Sequence, residues 1–207
     1  LVGRCPVVGG VGCVFAFRWR RGGGLVRGEG SGSGDLMGTA LAGDGEEGRN
    51  DVQVQLLESG ELDDALAGLA FLRSRPEVDS RRLAVVGVSF GGSVSILLAA
   101  RDSAVRAVVA FATAGYSWER SAQLRTLLLA AVGRVATPVF FIHAANDYTI
   151  ASGTALRAEM TRLGKAQRVK IYPAVGLTPY DGHNFIHLGV ATWEPDVFAF
   201  LNEHTRR

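Results

Sequence analysis

The chain has 207 residues, of which 47% are hydrophobic and 20% are charged, and its formal net charge is +2. These values are typical of one folded domain over residues 1–207, and the near balance of charge argues against a nucleic-acid-binding surface. The basic run "RWRR" (Arg18 to Arg21) is too short to form one. No stretch of about 18 uninterrupted apolar residues predicts a membrane span. We therefore expect neither nucleic acid nor a membrane as a partner.

The start of the chain and its cysteines bear on the cellular compartment. Cys5 and Cys13 are too few for a disulfide framework and are predicted to be free thiols, which favours a reducing compartment. The apolar start lacks a basic segment and a cleavage site, so we predict no signal peptide and a cytoplasmic location. The first residue is Leu1 instead of Met, which indicates a fragment or a processed form.

The predicted elements alternate between strands and helices. An apolar strand at Val11–Phe17 precedes a glycine-dense segment, Arg20–Gly48, which is predicted to be a surface loop because glycine loses much backbone entropy in regular structure. This segment has neither the Lys-Ser/Thr ending of a P-loop nor an intact G-x-G-x-x-G, so phosphate binding is not expected. Apolar residues then recur at helical spacing from Val52 to Arg75, and Pro76 marks the end of that helix.

Four more strands and helices follow this first helix. The strands are predicted at residues 81–88, 104–114, 137–144 and 168–174, and the helices at residues 91–100, 121–132, 154–163 and 194–204. Apolar strands that are buried on both faces indicate an α/β fold with a mainly parallel sheet covered by helices on both faces. In such sheets the functional residues lie in loops at the carboxyl ends of the strands.

The motif "GVSFG" lies where a predicted strand meets a predicted helix. It matches a nucleophile elbow, in which a sharp turn holds a serine in a strained backbone conformation. Gly87 and Gly91 remove side chains that would collide across this turn, and Gly92 lets the helix lie near its neighbours. Ser89 is therefore the candidate nucleophile, and the Phe90 N–H is a candidate oxyanion donor at the helix amino terminus. The alternative is a structural Gly-Ser turn.

Two other strands are also followed by polar candidates. Asp147 follows the strand at 137–144, and His183 follows the strand at 168–174. The chain order Ser89, Asp147, His183 is that of an α/β-hydrolase triad. A serine hydroxyl needs a base to become nucleophilic, and the base needs a carboxylate that orients its ring.

The remaining histidines are alternatives to His183 as the base. His187 lies four residues further on, and the two could form a metal pair if they were helical, but the sequence lacks the Glu of H-E-x-x-H and a third ligand. His183 follows Gly182 in a predicted loop, free to reach Ser89. His143 is expected in the core or at a strand end, and His204 is expected to be exposed.

The carboxylate also has alternatives. Asp147 in "ND" could serve an Asx turn. Asp181 is close to His183 in sequence but belongs to the same loop, which is a poorer position for orienting the ring. Glu119 follows an earlier strand and is a distant fallback.

With these motifs the sequence resembles the dienelactone hydrolase-like branch of the α/β-hydrolases, from about Val14 to Leu201. The resemblance rests on "FRWRRGGGL", "VDSRRLAVVGVSFGGSVSILLAA", "TPVFFIHAANDYTI", "DGHNF" and the "SW" after the middle strand. It implies an α/β-hydrolase fold and a serine-dependent ester hydrolase with Ser89, Asp147 and His183 as its triad. Dienelactone hydrolases proper use a cysteine nucleophile, whereas this chain has Ser89.

The resemblance also implies that something is missing. The family begins with further strands and a loop that supplies the second oxyanion donor, whereas only Leu1 to Gly10 precede the first predicted strand here. Loss of one such donor costs about 100-fold or more in rate. We expect a fragment, a weakened enzyme, or an unusual oxyanion loop in the amino-terminal segment.

The leading hypothesis is hydrolysis of a small-molecule acyl ester through an acyl-enzyme, without a metal or an organic cofactor. One alternative is a serine peptidase, since the same triad cleaves amides. The other is a hydrolase-like scaffold that binds small acyl compounds or a protein. Phe90, Tyr116, Trp118 and Tyr148 follow strand ends and could line an acyl pocket or belong to the core. The oligomeric state is left open.

Overall fold

The structure is a computed structural model that describes residues 14–16, 26–28, 53–76 and 78–205. Six strands in these ranges form one sheet in the order β2-β1-β3-β4-β5-β6. The strands are β1 Val14–Ala16, β2 Val26–Gly28, β3 Ala84–Val88, β4 Ala107–Phe111, β5 Val139–Ala144 and β6 Gln167–Tyr172.

The sheet is parallel from β3 to β6 and antiparallel at its other edge. Strand β3 pairs with β4, β4 with β5 and β5 with β6 in parallel, whereas β1 pairs antiparallel with both β2 and β3. All five predicted strands are present, and the four parallel strands are each shorter than predicted. The predicted α/β fold with a mainly parallel sheet is confirmed.

Strand β2 lies inside the glycine-dense segment that was predicted to be a loop. That prediction is wrong for Val26–Gly28, which pairs with β1 in the register Val14 to Gly28 and Ala16 to Val26. Three residues are too few to carry an alternation of apolar and polar positions, so the strand left no pattern in the sequence. The rest of Arg20–Gly48 and both cysteines lie outside the described residues.

Helices precede, connect and follow the parallel strands. They are α1 Gly60–Ser74, α2 Phe90–Arg101, α3 Gly115–Trp118, α4 Ala122–Arg134, α5 Ala151–Arg162, α6 Pro179–His183, α7 Phe185–Leu188 and α8 Val190–Thr205. Residues 53–58 are also helical. The five long helices were predicted, although α8 begins four residues earlier than expected. The short helices α3, α6 and α7 were not predicted, because four or five residues do not establish a helical period.

The strand side chains alternate between two hydrophobic clusters. In β4, Val108 and Ala110 belong to the cluster that contains Leu69, Val94, Leu128 and Leu156 of α1, α2, α4 and α5. Val109 and Phe111 belong to the second cluster, which contains Phe200 of α8 and Phe185 of α7. Successive side chains of a strand point to opposite faces, so helices cover both faces of the sheet, as predicted. Within the described part of the chain, no helix is both long and apolar enough to cross a membrane.

Candidate active site

Ser89 occupies a sharp turn between β3 and α2. Its backbone lies at φ 55° and ψ −116°, a conformation that a residue with a side chain rarely adopts. The turn is held by the neighbouring strand, because the Ser89 N–H donates to the Phe111 carbonyl at 2.9 Å. Strain of this kind persists only where the surrounding structure imposes it. The geometry is that of the predicted elbow.

The glycines of the elbow are required by close approach. A Cβ at Gly87 would lie 2.1 Å from the Gly91 carbonyl oxygen and 2.4 Å from Ser95 Oγ. A Cβ at Gly92 would lie 2.8 Å from Thr113 Oγ1, so this glycine lets α2 approach the segment after β4. Helix α2 begins at Phe90, whose N–H therefore belongs to the helix amino end, where N–H groups have no intrahelical acceptor.

Asp147 lies in the turn after β5, with its side chain fully buried. Its Oδ1 is 2.8 Å from His183 Nδ1 and accepts a hydrogen bond from the Tyr148 N–H at 2.8 Å. Its Oδ2 is 2.8 Å from His143 Nδ1. Burial raises the pKa of the Asp147 carboxyl, but the hydrogen bonds from His143 and His183 outweigh it and hold this pKa below its usual range. The carboxylate is therefore buried and ionised.

His183 is the last residue of α6, so the prediction that it lies in a loop is wrong. The Thr178 side chain and Asp181 form a capping box that starts this short helix, with the Asp181 N–H donating to Thr178 Oγ1 at 3.1 Å. Asp181 Oδ2 also accepts from the Leu177 N–H at 2.9 Å. Asp181 thus orients the helix that carries His183 instead of the imidazole ring itself.

The structure brings the three predicted residues into one hydrogen-bonded chain. His183 Nε2 lies 2.8 Å from Ser89 Oγ, and its Nδ1 lies 2.8 Å from Asp147 Oδ1. An ionised carboxylate only accepts, so Nδ1 carries the proton and Nε2 accepts from the serine hydroxyl. This arrangement can move the hydroxyl proton to Nε2 while the carboxylate stabilises the resulting imidazolium.

The alternative residues lie elsewhere. His187 is exposed, and both ring nitrogens of His183 are already engaged by Asp147 and Ser89. Glu119 accepts from Thr149 Oγ1 at 3.3 Å. His204 was expected to be exposed and is instead partly buried, with its ring edge-on to Phe200 at 4.6 Å between centroids.

Sequence reasoning missed three residues that shape the site. Asn146 Nδ2 donates to the Val175 and Thr178 carbonyls at 2.8 and 2.9 Å, which ties the turn holding Asp147 to the start of α6. A Cβ at Gly115 would lie 2.7 Å from His183 Cε1, so the imidazole packs directly on this glycine. His143 is the second partner of the Asp147 carboxylate. Only His143 had a local signal, since a histidine at the end of a buried strand needs a polar partner.

The aromatic residues that follow the strands divide into two groups. Tyr116 and Tyr148 are 53% and 41% exposed and pack edge-to-face with ring centroids 5.7 Å apart. The Tyr148 ring lies 5.0 Å from the His183 ring. Trp118 and Phe90 are only 4% and 6% exposed and belong to the hydrophobic core. The core alternative is therefore favoured for those two side chains.

The segment Leu1 to Gly10, which is one predicted source of a second oxyanion donor, lies outside the described residues.

The model of the dienelactone hydrolase family matches residues 42–186, a range that contains the elbow, the turn with Asp147 and helix α6. No curated protein is significantly similar to this chain in sequence.

Solved structures share the fold at low sequence identity. Acylaminoacyl peptidase of Pyrococcus horikoshii is 19% identical with a TM-score of 0.56, over 70% of this chain and 28% of that one. An esterase of Pyrococcus furiosus is 16% identical with a TM-score of 0.55, over 72% and 64% of the two chains. A proposed dienelactone hydrolase of Klebsiella pneumoniae subsp. pneumoniae is 18% identical with a TM-score of 0.54, over 72% and 61%. This likeness establishes an α/β-hydrolase fold, and the aligned region spans only 28% to 64% of these chains.

Proposed function

This chain belongs to the dienelactone hydrolase family, and we propose that it is a serine hydrolase that cleaves small carboxylic esters through an acyl-enzyme. The observation that supports the proposal is the hydrogen-bonded chain from Ser89 Oγ through His183 to Asp147, with 2.8 Å at each link. Its nucleophile is Ser89, in the place where dienelactone hydrolases proper use cysteine. We therefore propose the activity of a general esterase instead of the hydrolysis of dienelactones.

In the first half of the proposed reaction, His183 Nε2 takes the hydroxyl proton as Ser89 Oγ attacks the ester carbonyl carbon. The tetrahedral intermediate collapses when its bond to the alcohol oxygen breaks, and the leaving alcohol takes the proton back from Nε2. The acyl group then remains on Ser89. In the second half, His183 Nε2 takes a proton from water, whose oxygen attacks the acyl carbon. The bond from that carbon to Ser89 Oγ then breaks, Oγ takes the proton from Nε2, and the acid leaves.

The buried Asp147 carboxylate has an electrostatic role in both halves. It is ionised before the reaction starts, so the positive charge that forms on His183 meets a fixed negative charge in a region shielded from water. Because its hydrogen bond to Nδ1 also selects the tautomer, the base presents an unprotonated Nε2 to the serine.

The negative charge on the former carbonyl oxygen needs hydrogen-bond donors. The Phe90 N–H is proposed as one donor, because it lies at the amino end of α2 directly after Ser89. A second donor is proposed from the amino-terminal part of the chain, outside the described residues.

The exposed Tyr116 and Tyr148 rings are proposed to contact an apolar group of the ester. Tyr148 lies beside His183, so a substrate whose carbonyl carbon is at Ser89 passes close to this aromatic pair. Aromatic walls of this kind bury apolar substrate surface while leaving the carbonyl free for the polar groups.

The direct test is labelling of the protein with a fluorophosphonate probe, which forms a covalent bond with an activated serine. We expect one equivalent of probe on the peptide that contains Ser89, and hydrolysis of p-nitrophenyl acetate. The matched control is Ser103→Ala, at an exposed serine that precedes the amino end of β4. This variant is expected to be labelled at Ser89 like the wild type. No labelling at Ser89 together with no ester turnover would contradict the proposal. Faster cleavage of aminoacyl p-nitroanilides than of the ester would indicate a peptidase instead.

A further inference from the structure

A second histidine contacts the carboxylate of Asp147. His143 lies in β5 and is 1% exposed, and its Nδ1 is 2.8 Å from Asp147 Oδ2. The two carboxylate oxygens are thus divided between two imidazole rings, since Oδ1 faces His183. The proposed reaction uses only one of these rings, which leaves the buried His143 without a role.

The proton of this contact belongs to His143. An ionised carboxylate can only accept, so His143 Nδ1 donates to Asp147 Oδ2. The other ring nitrogen, Nε2, is buried and has no hydrogen-bond partner among the residues that the structure describes. Helix α5 lies directly against it, because a Cβ at Gly153 would be 2.6 Å from Nε2. A proton on Nε2 would be an unpaired buried donor, so the ring is a single-proton donor in its Nδ1–H tautomer.

We propose that His143 is a positioning residue, whose Nδ1–H fixes the plane of the Asp147 carboxylate so that Oδ1 stays aligned with His183. The inference rests on the proposed function, because the alignment matters for the proton transfer at Ser89. Without His143 only Oδ1 would be held, by His183 and the Tyr148 N–H, and Oδ2 could move as the carboxylate rotates about its Cβ–Cγ bond. Hydrogen bonds to both oxygens restrict that rotation, and the packing of α5 on the His143 ring restricts the ring in turn.

The competing explanation is that His143 only fills space between β5 and α5. Two substitutions of similar size separate these roles. His143→Asn retains an N–H near the position of Nδ1, whereas His143→Leu has nearly the same shape as Asn without a polar atom. A role in filling space predicts the same result for both variants, but positioning predicts that only Asn preserves the reaction rate.

The experiment measures kcat and KM for p-nitrophenyl acetate in the wild type and in both variants, together with thermal unfolding. For His143→Leu we expect kcat to fall by about 10-fold to 100-fold, the range for losing one hydrogen bond to a buried charge. KM is expected to stay unchanged, because the carboxylate does not touch the substrate and its alignment matters most when His183 is charged. His143→Asn is expected to keep most of kcat. The pair His187→Asn and His187→Leu, at an exposed histidine, is the matched control.

Equal kcat values for His143→Leu and the wild type would overturn the inference while leaving the proposed function intact. An equal loss of kcat in the Asn and Leu variants would also overturn it. A wild type without ester turnover and without labelling at Ser89 would instead overturn the proposed function. Histidine ¹⁵N NMR of the wild type adds a readout that is independent of activity and of folding in the variants. We expect the His143 ring in the Nδ1–H tautomer, and an Nε2–H tautomer would refute the assignment.

Discussion

The amino ends and the carboxyl ends of the parallel strands differ in what their polar side chains contact. These two sides of the sheet are called the amino edge and the carboxyl edge. At the amino edge, polar side chains join the ends of neighbouring segments. Arg73, in the last turn of α1, forms a bidentate ion pair with Asp102, directly after α2. Lys165 Nζ donates to the Val135 carbonyl at 2.6 Å. At the carboxyl edge, polar side chains are buried and bind one another, with Asp147 between two histidines. The contacts at the first edge join neighbouring segments, whereas those at the second bring the candidate triad together.

The carboxyl edge also carries the unfavourable features of the described residues. The non-glycine residues with positive φ are Ser89, Ala112 and Ala114, which follow β3 and β4. Among the described residues, the buried side-chain polar atoms without a partner belong to Thr113, His143 and Ser152, and they lie at the same edge. Strain and unsatisfied polar atoms each cost free energy, and such features cluster at functional sites. We therefore expect changes to the polar side chains of the candidate triad at this edge to affect activity, and changes to the polar side chains at the amino edge to affect stability.

The largest expected effect is that of Ser89→Ala. Removing the nucleophile should lower kcat for p-nitrophenyl acetate by about a million-fold, as in a well-studied serine protease. The free energy of unfolding should change little, because the turn is held by backbone hydrogen bonds. Steady-state kinetics and urea unfolding measure the two quantities. Turnover at the wild-type rate in this variant would remove Ser89 from the mechanism.

Asp147→Asn should lower kcat by about 10⁴-fold, the size of the effect known for the equivalent change in a serine protease triad. The amide can donate towards His183 Nδ1, which favours the tautomer that cannot accept the serine proton. The matched control at the amino edge is Asp102→Asn, which should leave kcat unchanged. Similar kinetic losses in both variants would contradict the assignment of different roles to the two edges.

Two glycine substitutions compare the closely packed elbow with an exposed position in helix α1. Gly87→Ala should lower the free energy of unfolding by about 1–3 kcal/mol, because the new Cβ meets the backbone oxygen of Gly91. Gly68→Ala lies in α1 with nothing within 4 Å of its Cβ, and should raise the free energy of unfolding by about 0.5–1 kcal/mol. Urea unfolding of both variants measures these free energies. An unchanged free energy of unfolding in Gly87→Ala would show that the elbow relaxes to accommodate the new Cβ.

The smallest expected effect is at the ion pair of the amino edge. The hydrogen bond from Arg73 holds the pKa of the Asp102 carboxyl below its usual range. The pair therefore stabilises the protein at pH values above the unfolded pKa of about 3.9, and this contribution is lost as the pH falls through the lower pKa of the folded state. Asp102→Asn should cost about 1 kcal/mol or less at neutral pH. The difference from the wild type should shrink below about pH 4 in urea unfolding at several pH values. A difference that grows on acidification would contradict the sign of this linkage.

Local patterns in the sequence were sufficient for the parallel strands and for the elbow that carries Ser89, but not for the short helix α6 that carries His183. Apolar runs predicted the strands, and the glycine spacing around Ser89 predicted the elbow, because both depend on interactions between residues close in the chain. The order of Ser89, Asp147 and His183 after three strands predicted that they meet, since parallel strands end at one edge. Their catalytic roles stay predictions until the kinetics are measured.

Long-range contacts had no such signal. Gly115 and His183 are in contact although 68 positions separate them in the chain, and neither neighbourhood in the sequence indicates the other. The hydrogen bonds from the Asn146 side chain to the carbonyls of Val175 and Thr178 likewise join distant parts of the chain, and no local pattern indicates them. His143 gave only the general expectation of a buried histidine, and its partner became evident when the turn after β5 brought Asp147 over the ring.

Sequence reasoning thus reached the fold class, the elbow and the three candidate residues, because spacing and strand ends are local properties of the chain. Only the tertiary structure decided which oxygen of Asp147 each histidine occupies, that His183 ends a helix, and that Tyr148 lies beside it while Trp118 lies in the core. The physical reason is that hydrogen-bond partners and burial depend on segments that come together only when the sheet forms.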